Sequence, residues 1–319
     1  MSASNAATKD SAAQFVAKQA QKYPQFASHY DKFADLYSRK LYHQLTLALR
    51  SFIFNDETFV DDNMIKLYVN FISKFEKSLN RIELSRLIVR ISKQFSNLED
   101  ALKFLDKICI DGKCSKQGGN GLFEEESVSW MIIQCEIGHI YLIGNLIKQC
   151  KEIIDRMADL MDTKKHYYNH SALYQQYYRI SLQYFKVIGA PQEYLNAALK
   201  FLTHTKPDDL PKKEQLLFAS DICLAALLST KCYDFSVLLS HQLIQLLQKT
   251  EFDWLYQIIF IFNTGDLKEW KTYCLKYENL LKNHETISHN LAFLEQKIRL
   301  MALIELIFQT PPNQRLLTF

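Results

Sequence analysis

Two histidines one helical turn apart, in the segment His166-Tyr-Tyr-Asn-His170, are the residues best spaced for metal chemistry. Paired imidazoles can begin a zinc site, which needs three or four ligands. No glutamate follows the first histidine, so the H-E-x-x-H pattern of zinc hydrolases is absent. The nearest carboxylate, Asp162, lies on the preceding turn. This pattern favours two polar surface residues over a metal site, and we expect no metal ligand in the chain.

The seven cysteines are a second possible source of ligands or of a nucleophile. Cys109 and Cys114 are separated by four residues, and no second pair completes a zinc site. Their odd number and the lack of a C-x-x-C pair favour reduced thiols, most of them small core residues. No Ser/His/Asp or Cys/His set has the local context of an activated nucleophile. We therefore expect no catalytic residue. The other five cysteines are Cys135, Cys150, Cys223, Cys232 and Cys274.

A glycine-rich segment, residues 111–126, raises the question of phosphate binding. It holds four of the eight glycines: Gly112, Gly118, Gly119 and Gly121. The G-x-x-x-x-G-K-[ST] order is missing, and no predicted strand precedes the segment. The segment is therefore interpreted as a flexible surface loop, and we expect no cofactor-binding residue.

A surface that binds nucleic acid would combine aromatic rings with basic residues. The tyrosine-rich stretch lacks the regular alternation of rings with Arg and Lys that base stacking and phosphate contacts would use, which favours packing between helices. The net charge is only +3, and basic residues come in pairs such as Lys164-Lys165 rather than in dense stripes. We therefore expect no nucleic-acid partner. The aromatic residues concerned are Tyr167, Tyr168, Tyr174, Tyr177, Tyr178, Tyr184 and Phe185.

The composition of the 319 residues predicts which elements carry these side chains. Gly and Pro together number only 14, and 44 Leu stand against 7 Val. Sheets favour β-branched residues and need frequent turns, so the composition predicts an all-α chain. No uncharged run reaches the ~18 apolar residues of a membrane span. The polar N-terminus lacks the apolar stretch of a signal peptide, so secretion is not expected.

Apolar residues recur at helical spacing along most of the chain. One stripe predicts a helix over Met64–Leu79, with Asp61-Asp62 as caps. Ser96 and Glu99 have the spacing of a capping box that opens a helix over Leu98–Ile108. A closing helix is expected over Glu285–Gln309, and Pro311-Pro312 would end it. Its stripe contains Leu291, Leu294, Ile298, Met301 and Ile304, part of which we expect to be exposed.

Corners between these helices recur roughly every 34–47 residues, which is near the period of paired-helix repeats. The clearest are Gly144-Asn145, Gly189-Ala190-Pro191, Lys231–Asp234 and Gly265-Asp266. Gly suits the end of a helix, and Pro suits the first turn of the next. The predicted organisation is a flexible tail over residues 1–20, helical repeats over 21–165 with the loop at 111–126, and a second helical part over 166–319.

Several local motifs, in order along nearly the whole chain, resemble the 26S proteasome non-ATPase regulatory subunit 13 family. They are Lys40-Leu41-Tyr42-His43-Gln44-Leu45-Thr46, the run Ile65–Glu76, Asp209-Leu210-Pro211, Tyr233-Asp234-Phe235, Phe262-Asn263-Thr264-Gly265-Asp266 and Asn313–Phe319.

The resemblance implies a right-handed solenoid of degenerate helix hairpins that leads into the helical half of a PCI domain over residues 166–319, with the winged helix absent. It implies a non-catalytic scaffold of the proteasome lid, without cofactor, that supports lid assembly and ubiquitin-dependent degradation in cytoplasm and nucleus. The implied partners are other PCI lid subunits, with the ubiquitin-receptor subunit nearby. Three alternatives stay open: a PCI subunit of the signalosome, one of a translation initiation factor, and an RNA-binding PCI protein.

Overall fold

A computed structural model describes residues 2–58, 60–110, 114–115, 123–163, 170–205 and 212–309. Helices hold 81% of these residues, which confirms the predicted all-α class. The strands among them are two short ones, β1 (Cys114–Ser115) and β2 (Phe123–Glu124), paired in parallel. None of the described helices combines the length and the apolar composition that crossing a bilayer requires.

The chain divides into two compact units, residues 1–180 and 181–319, whereas the sequence predicted a boundary at 165/166. The observed division falls inside one helix. The first unit contains α1 (Ser2–Lys22), α2 (Ala27–Ser38), α3 (Tyr42–Ile53), α4 (Asn63–Asn70), α5 (Arg81–Ser92), α6 (Leu98–Ile110), α7 (Val128–Ile143), α8 (Ile147–Thr163) and the first part of α9 (Ser171–Ile188).

The second unit contains the rest of α9 and nine further helices. These are α10 (Pro191–His204), α11 (Lys212–Leu228), α12 (Ser236–Ser240), α13 (Gln242–Gln245), α14 (Asp253–Thr264), α15 (Leu267–Lys276), α16 (Glu278–Asn283), α17 (Glu285–Ser288) and α18 (Leu291–Gln309). The predicted corners lie where these elements meet. For example, α9 ends before Gly189, which has a φ of 69°, and α10 begins at Pro191.

The flexible tail predicted for residues 1–20 is wrong. Residues 2–22 form α1, which packs on α2. Ala12 and Val16 are buried, and they lie four residues apart on one face of the helix. Widely spaced small residues of this kind give a weak apolar signal in the sequence, but they fit closely against a neighbouring helix.

The helix predicted over Met64–Leu79 is also shorter than expected. It consists of α4 followed by two 3-10 turns, Ile72–Lys74 and Glu76–Ser78. In this region Phe71 and Phe75 lie 5.0 Å apart between ring centroids, and Tyr37 of α2 contacts both rings. With these tighter turns, both rings lie in one aromatic cluster with Tyr37.

Two predicted caps are replaced by others. At α4, Asp62 makes no side-chain capping bond; instead the Gln94 side-chain oxygen accepts from the backbone N–H of Met64, at 2.9 Å, and of Ile65. At α6, Asn97 rather than Ser96 accepts from the backbone N–H of Glu99. Both amides satisfy N–H groups that the first turn of a helix leaves free.

The predicted glycine-rich loop lies largely outside the described residues. Its described parts include β1, β2 and Phe123, whose side chain is fully buried. Phe123 therefore anchors this end of the segment in the core. β2 packs on α7, and β1 packs on α6.

Helices of the first unit pack mainly on near neighbours in the chain: α2 on α3, α3 on α5, α5 on α7 and α7 on α8. The second unit departs from this order at its end. There α18 packs back on α11, α14 and α15, so its position depends on residues far away in sequence.

Candidate functional site

The strongest polar cluster of the second unit lies where α18 meets the end of α11. Its centre is Lys297, which is 2% exposed. The Lys297 ammonium donates to the carbonyl oxygens of Ala226 at 2.7 Å, Leu227 at 2.9 Å and Ser229 at 2.7 Å. Ala226 and Leu227 lie in the last turn of α11, whose carbonyls have no partner inside the helix and form its negative end, and Ser229 directly follows the helix. Lys297, a residue of α18, thus caps the C-terminal end of α11.

The surroundings of Lys297 are otherwise apolar and aromatic. Its nitrogen lies 5.2 Å from the ring centroid of Phe235, 5.7 Å from that of Tyr233 and 5.9 Å from that of Phe293. No carboxylate of the described residues forms an ion pair with it. Burial lowers the Lys297 pKa to about 8, while the nearby Cys232 thiol acts in the opposite direction. Because this pKa is still above 7, the amine is protonated in most molecules at neutral pH.

Ser229 extends this cluster to a third helix. Its hydroxyl donates to the side-chain oxygen of Gln192 on α10. The same hydroxyl accepts from the backbone N–H of Lys231 at 3.3 Å and of Cys232 at 3.2 Å. The cluster therefore ties α10, α11 and α18 together through one buried network.

A second contact fixes α18 at the end of α14. Gly265 ends α14 with a φ of 66°, in the left-handed region that glycine adopts without strain. A side-chain carbon at this position would lie 3.0 Å from the backbone nitrogen and Cα of Ala302. The next residue, Asp266, caps α15 by accepting from the N–H groups of Lys268 and Glu269. Gly265 thus ends α14 and lets the backbone of α18 approach closely, and Asp266 starts α15.

The inner face of α18 is the predicted apolar stripe, and most of it is buried. Leu294, Ile298 and Met301 are at most 6% exposed. The expectation that part of this stripe is exposed holds only at its two ends, where Leu291 and Ile304 are half-buried. The exposed apolar surface lies on other positions, which we call the α18 outer face; it consists of Leu300, Leu303, Leu306, Ile307 and Phe308.

Beside this helix lies a groove of about 530 Å³, which we call the α15–α18 groove. One wall is α15, with Leu267, Trp270, Lys271, Cys274 and Leu275; the other is α18, with Glu295, Ile298 and Arg299. Trp270 and Ile298 are buried, whereas Leu275 is 78% exposed. The groove therefore has an apolar floor and an apolar residue at its rim that no described side chain covers.

The first unit has a buried ionic cluster around Glu136 of α7, which is 4% exposed. Burial raises the pKa of this carboxyl, but the hydrogen bond from His139 and the charges of Lys93 and Arg179 outweigh that effect and lower it. The His139 nitrogen lies 3.5 Å and the Lys93 nitrogen 3.9 Å from the carboxylate. The carboxylate thus stays ionised, and it ties α7 to the end of α5.

The residues that the sequence singled out for chemistry do not come together. His166 lies outside the described residues, and His170 lies just before α9. Among the described residues, no three His, Cys, Asp or Glu side chains converge as metal ligands would. Cys135, Cys150 and Cys223 are buried free thiols, as predicted. Burial raises the pKa of Cys150 to about 11 and that of Cys223 to about 12, so neither thiol is activated.

The tyrosine rings of α9 contact one another along the same helix, so these contacts do not test the packing between helices that the sequence favoured. Tyr174 and Tyr178 stack at 6.1 Å between centroids, and Tyr184 contacts Phe185. Tyr174 and Tyr184 are both buried. Tyr167 and Tyr168 lie outside the described residues.

Sequence reasoning did not find Lys297. The sequence did carry a sign of its burial, because this lysine lies between Leu294 and Met301 on the apolar stripe of a helix. A charged residue on the buried side of an apolar helix must be satisfied by other groups of the fold. Its partners were not readable, since they are backbone carbonyls about 70 residues earlier.

Comparisons with known proteins agree with this architecture. The family described as "PSD13 N-terminal repeats" matches residues 29–259, in keeping with the predicted helical repeats. The "26S proteasome non-ATPase regulatory subunit 13 homolog B" of Arabidopsis thaliana is 33% identical over 95% of this chain and 77% of its own length.

Two yeast proteins show the same likeness. The "Probable 26S proteasome regulatory subunit rpn9" of Schizosaccharomyces pombe is 32% identical over 89% of this chain and 70% of its own length. The "26S proteasome regulatory subunit RPN9" of Saccharomyces cerevisiae is 27% identical over 91% of this chain and 72% of its own length.

Proposed function

The chain belongs to the 26S proteasome non-ATPase regulatory subunit 13 family, and we propose that it is a non-catalytic scaffold subunit of the lid of the proteasome regulatory particle. The observation that carries this proposal is the similarity to proteasome regulatory subunits over nine-tenths or more of the chain. The names of these relatives do not favour the signalosome, initiation-factor or RNA-binding alternatives.

The proposed role is to hold neighbouring subunits in place during ubiquitin-dependent degradation. We propose other PCI subunits of the lid as direct partners, the ubiquitin-receptor subunit as a neighbour, and cytoplasm and nucleus as the location. The fold supports a scaffold, because its polar clusters around Lys297 and Glu136 tie helices to one another. Part of its uncovered apolar surface lies on and beside α18, where a partner would bury it.

Copurification tests this proposal. The tagged chain is expressed in cells depleted of their own subunit, and its complexes are separated by size and identified by mass spectrometry. We expect the chain to sediment with 26S particles and to copurify with lid subunits in equal amounts. Recovery with signalosome or initiation-factor subunits instead would contradict the proposal.

A further inference from the structure

The α15–α18 groove is an uncovered apolar surface with charged edges. We propose that it binds an amphipathic α-helix of a neighbouring lid subunit, with apolar residues facing the groove and acidic residues facing α15. The proposal rests on the proposed function for the identity of the complex, and on the groove itself for the chemistry of the occupant.

The depth and composition of the groove argue for an apolar anchor. Its floor is formed by Trp270 and Ile298, and its volume of about 530 Å³ has room for several side chains. Leu267 and Leu275 stand on the same wall, 38% and 78% exposed. They are eight residues apart, which is about 12 Å along a helix, or two turns. A facing helix with apolar residues at i, i+3 or i+4, and i+7 covers the same length.

The backbone of the walls argues that the occupant is a helix. Both walls are α-helices, whose N–H and C=O groups are bonded within their own helix. An extended peptide laid into the groove would find no backbone partner there and would bury unpaired polar groups. A helix satisfies its own backbone and can pack its side-chain ridges between α15 and α18.

The charges around the groove select an acidic partner. Lys271 lines the groove at an exposed position of α15, and no carboxylate of the described residues forms an ion pair with it. The exposed Lys268 lies beside the groove and interacts with the Asp266 carboxylate. On the other wall, Arg299 pairs with Glu295 at 3.4 Å, so these two charges offset one another. The lining of the groove therefore carries a net positive charge, that of Lys271. Aspartate or glutamate on the partner helix would complement it, whereas a basic partner would be repelled.

The first experiment compares variants of the complete chain in lid purified from depleted cells. Leu275→Glu and Lys271→Glu change the rim and the charge of the groove, and both residues are exposed, so the fold should tolerate them. The matched controls are Leu217→Glu and Lys200→Glu, at exposed positions on α11 and α10. Circular dichroism and the melting temperature verify that each variant is folded.

We expect both groove variants to lower recovery with the lid, the leucine variant by about tenfold as for an interface hot spot. Both controls should be recovered like the unmodified chain. If the unmodified chain is not recovered with the lid, the proposed function fails and this proposal falls with it. If the unmodified chain and both groove variants are recovered alike, the proposed function stands and only the groove proposal is overturned.

The second experiment identifies the occupant. A photo-crosslinking amino acid replaces Leu275 in the complete chain, and in a parallel sample Leu217, and crosslinked fragments of the purified lid are mapped by mass spectrometry. We expect position 275 to link to a helical, acidic segment of another lid subunit, and position 217 not to link there. A link to a second copy of this chain, to another part of the same chain or to a basic segment would overturn the proposal, as would no link at all.

Discussion

The side-chain nitrogen of Lys297 lies 2.7 Å from the backbone carbonyl oxygen of Ser229, although 68 residues separate them in the chain. Together with the bonds to Ala226 and Leu227, this contact closes the C-terminal end of α11 with a charge from α18. The last carbonyls of a helix carry partial negative charge and lack partners within the helix, so an ammonium satisfies both needs. Lys297 thus adds a polar anchor to the apolar packing of α18 on its neighbours.

Removing this charge should weaken the second unit. In Lys297→Met the chain keeps a long apolar side chain but leaves three buried carbonyls without a donor. We expect the free energy of unfolding to fall by about 1–3 kcal/mol. This loss is smaller than that from the unpaired carbonyls alone, because the substitution also removes a buried charge. Urea unfolding followed by the fluorescence of Trp254 and Trp270 measures it. Lys200→Met, at an exposed position on α10, is the control. An unchanged midpoint in Lys297→Met would show that the cap adds nothing.

The pKa of Lys297 also predicts a pH dependence of stability. Burial lowers this pKa from 10.5 to about 8. Between these values the unfolded chain still binds the proton that the folded chain has released, so the Lys297 contribution makes stability rise with pH. The slope is at most about 1.4 kcal/mol per pH unit.

Other groups titrate in the same range with the opposite sign. Burial raises the pKa of the Cys232 thiol beside Lys297, and it raises the pKa of Tyr30 to about 12. We therefore compare the free energy of unfolding of the unmodified chain with that of Lys297→Met and follow the difference from pH 7 to 10. This difference should grow in favour of the unmodified chain as pH rises above about 8. A difference that stays flat or falls would contradict a buried amine of low pKa.

The close approach of α14 and α18 predicts an unusually costly glycine substitution. Gly265 and Gly189 both have φ near 70°, so alanine at either position should cost about 1–2 kcal/mol in backbone strain. Only at Gly265 would the new carbon meet another backbone, that of Ala302. We expect Gly265→Ala to destabilise by at least about 1 kcal/mol more than Gly189→Ala. Equal losses in thermal unfolding would show that α18 moves aside at no cost.

Gln94 caps α4 in two ways: its side-chain oxygen accepts hydrogen bonds, and its side-chain nitrogen donates one. Gln94→Ala removes the acceptor for the N–H groups of Met64 and Ile65 and should cost about 1 kcal/mol. Gln94→Glu keeps an acceptor at the positive end of the helix but loses the bond donated to the Asp61 carbonyl. It should therefore be milder at neutral pH. Amide hydrogen exchange at Met64 and Ile65 reports the cap directly, and unchanged exchange in Gln94→Ala would refute its role.

The helical class, many of the corners and the family can be read from the sequence. Scarce Val, Gly and Pro and the regular apolar spacing are local properties, and helix formation depends on local hydrogen bonds. The corner at Gly265-Asp266 was readable because its two residues act within one turn of the chain. Glycine suits this motif position because a side-chain carbon at Gly265 would press on the backbone of Ala302.

The groups that satisfy the helix ends, and the apolar residues that stay exposed, depend instead on how the helices pack. Gln94 and Lys297 cap helices about 30 and 70 residues earlier, and the choice depends on which elements meet in space. The same is true of α18: the periodic pattern marked one face, but apolar residues occupy nearly every position of its last turns. Burial by α11, α14 and α15 selected Leu294, Ile298 and Met301 for the core and left Leu303 and Phe308 uncovered. Apolar spacing shows that a helix has a face to bury, whereas packing against distant helices determines which face that is.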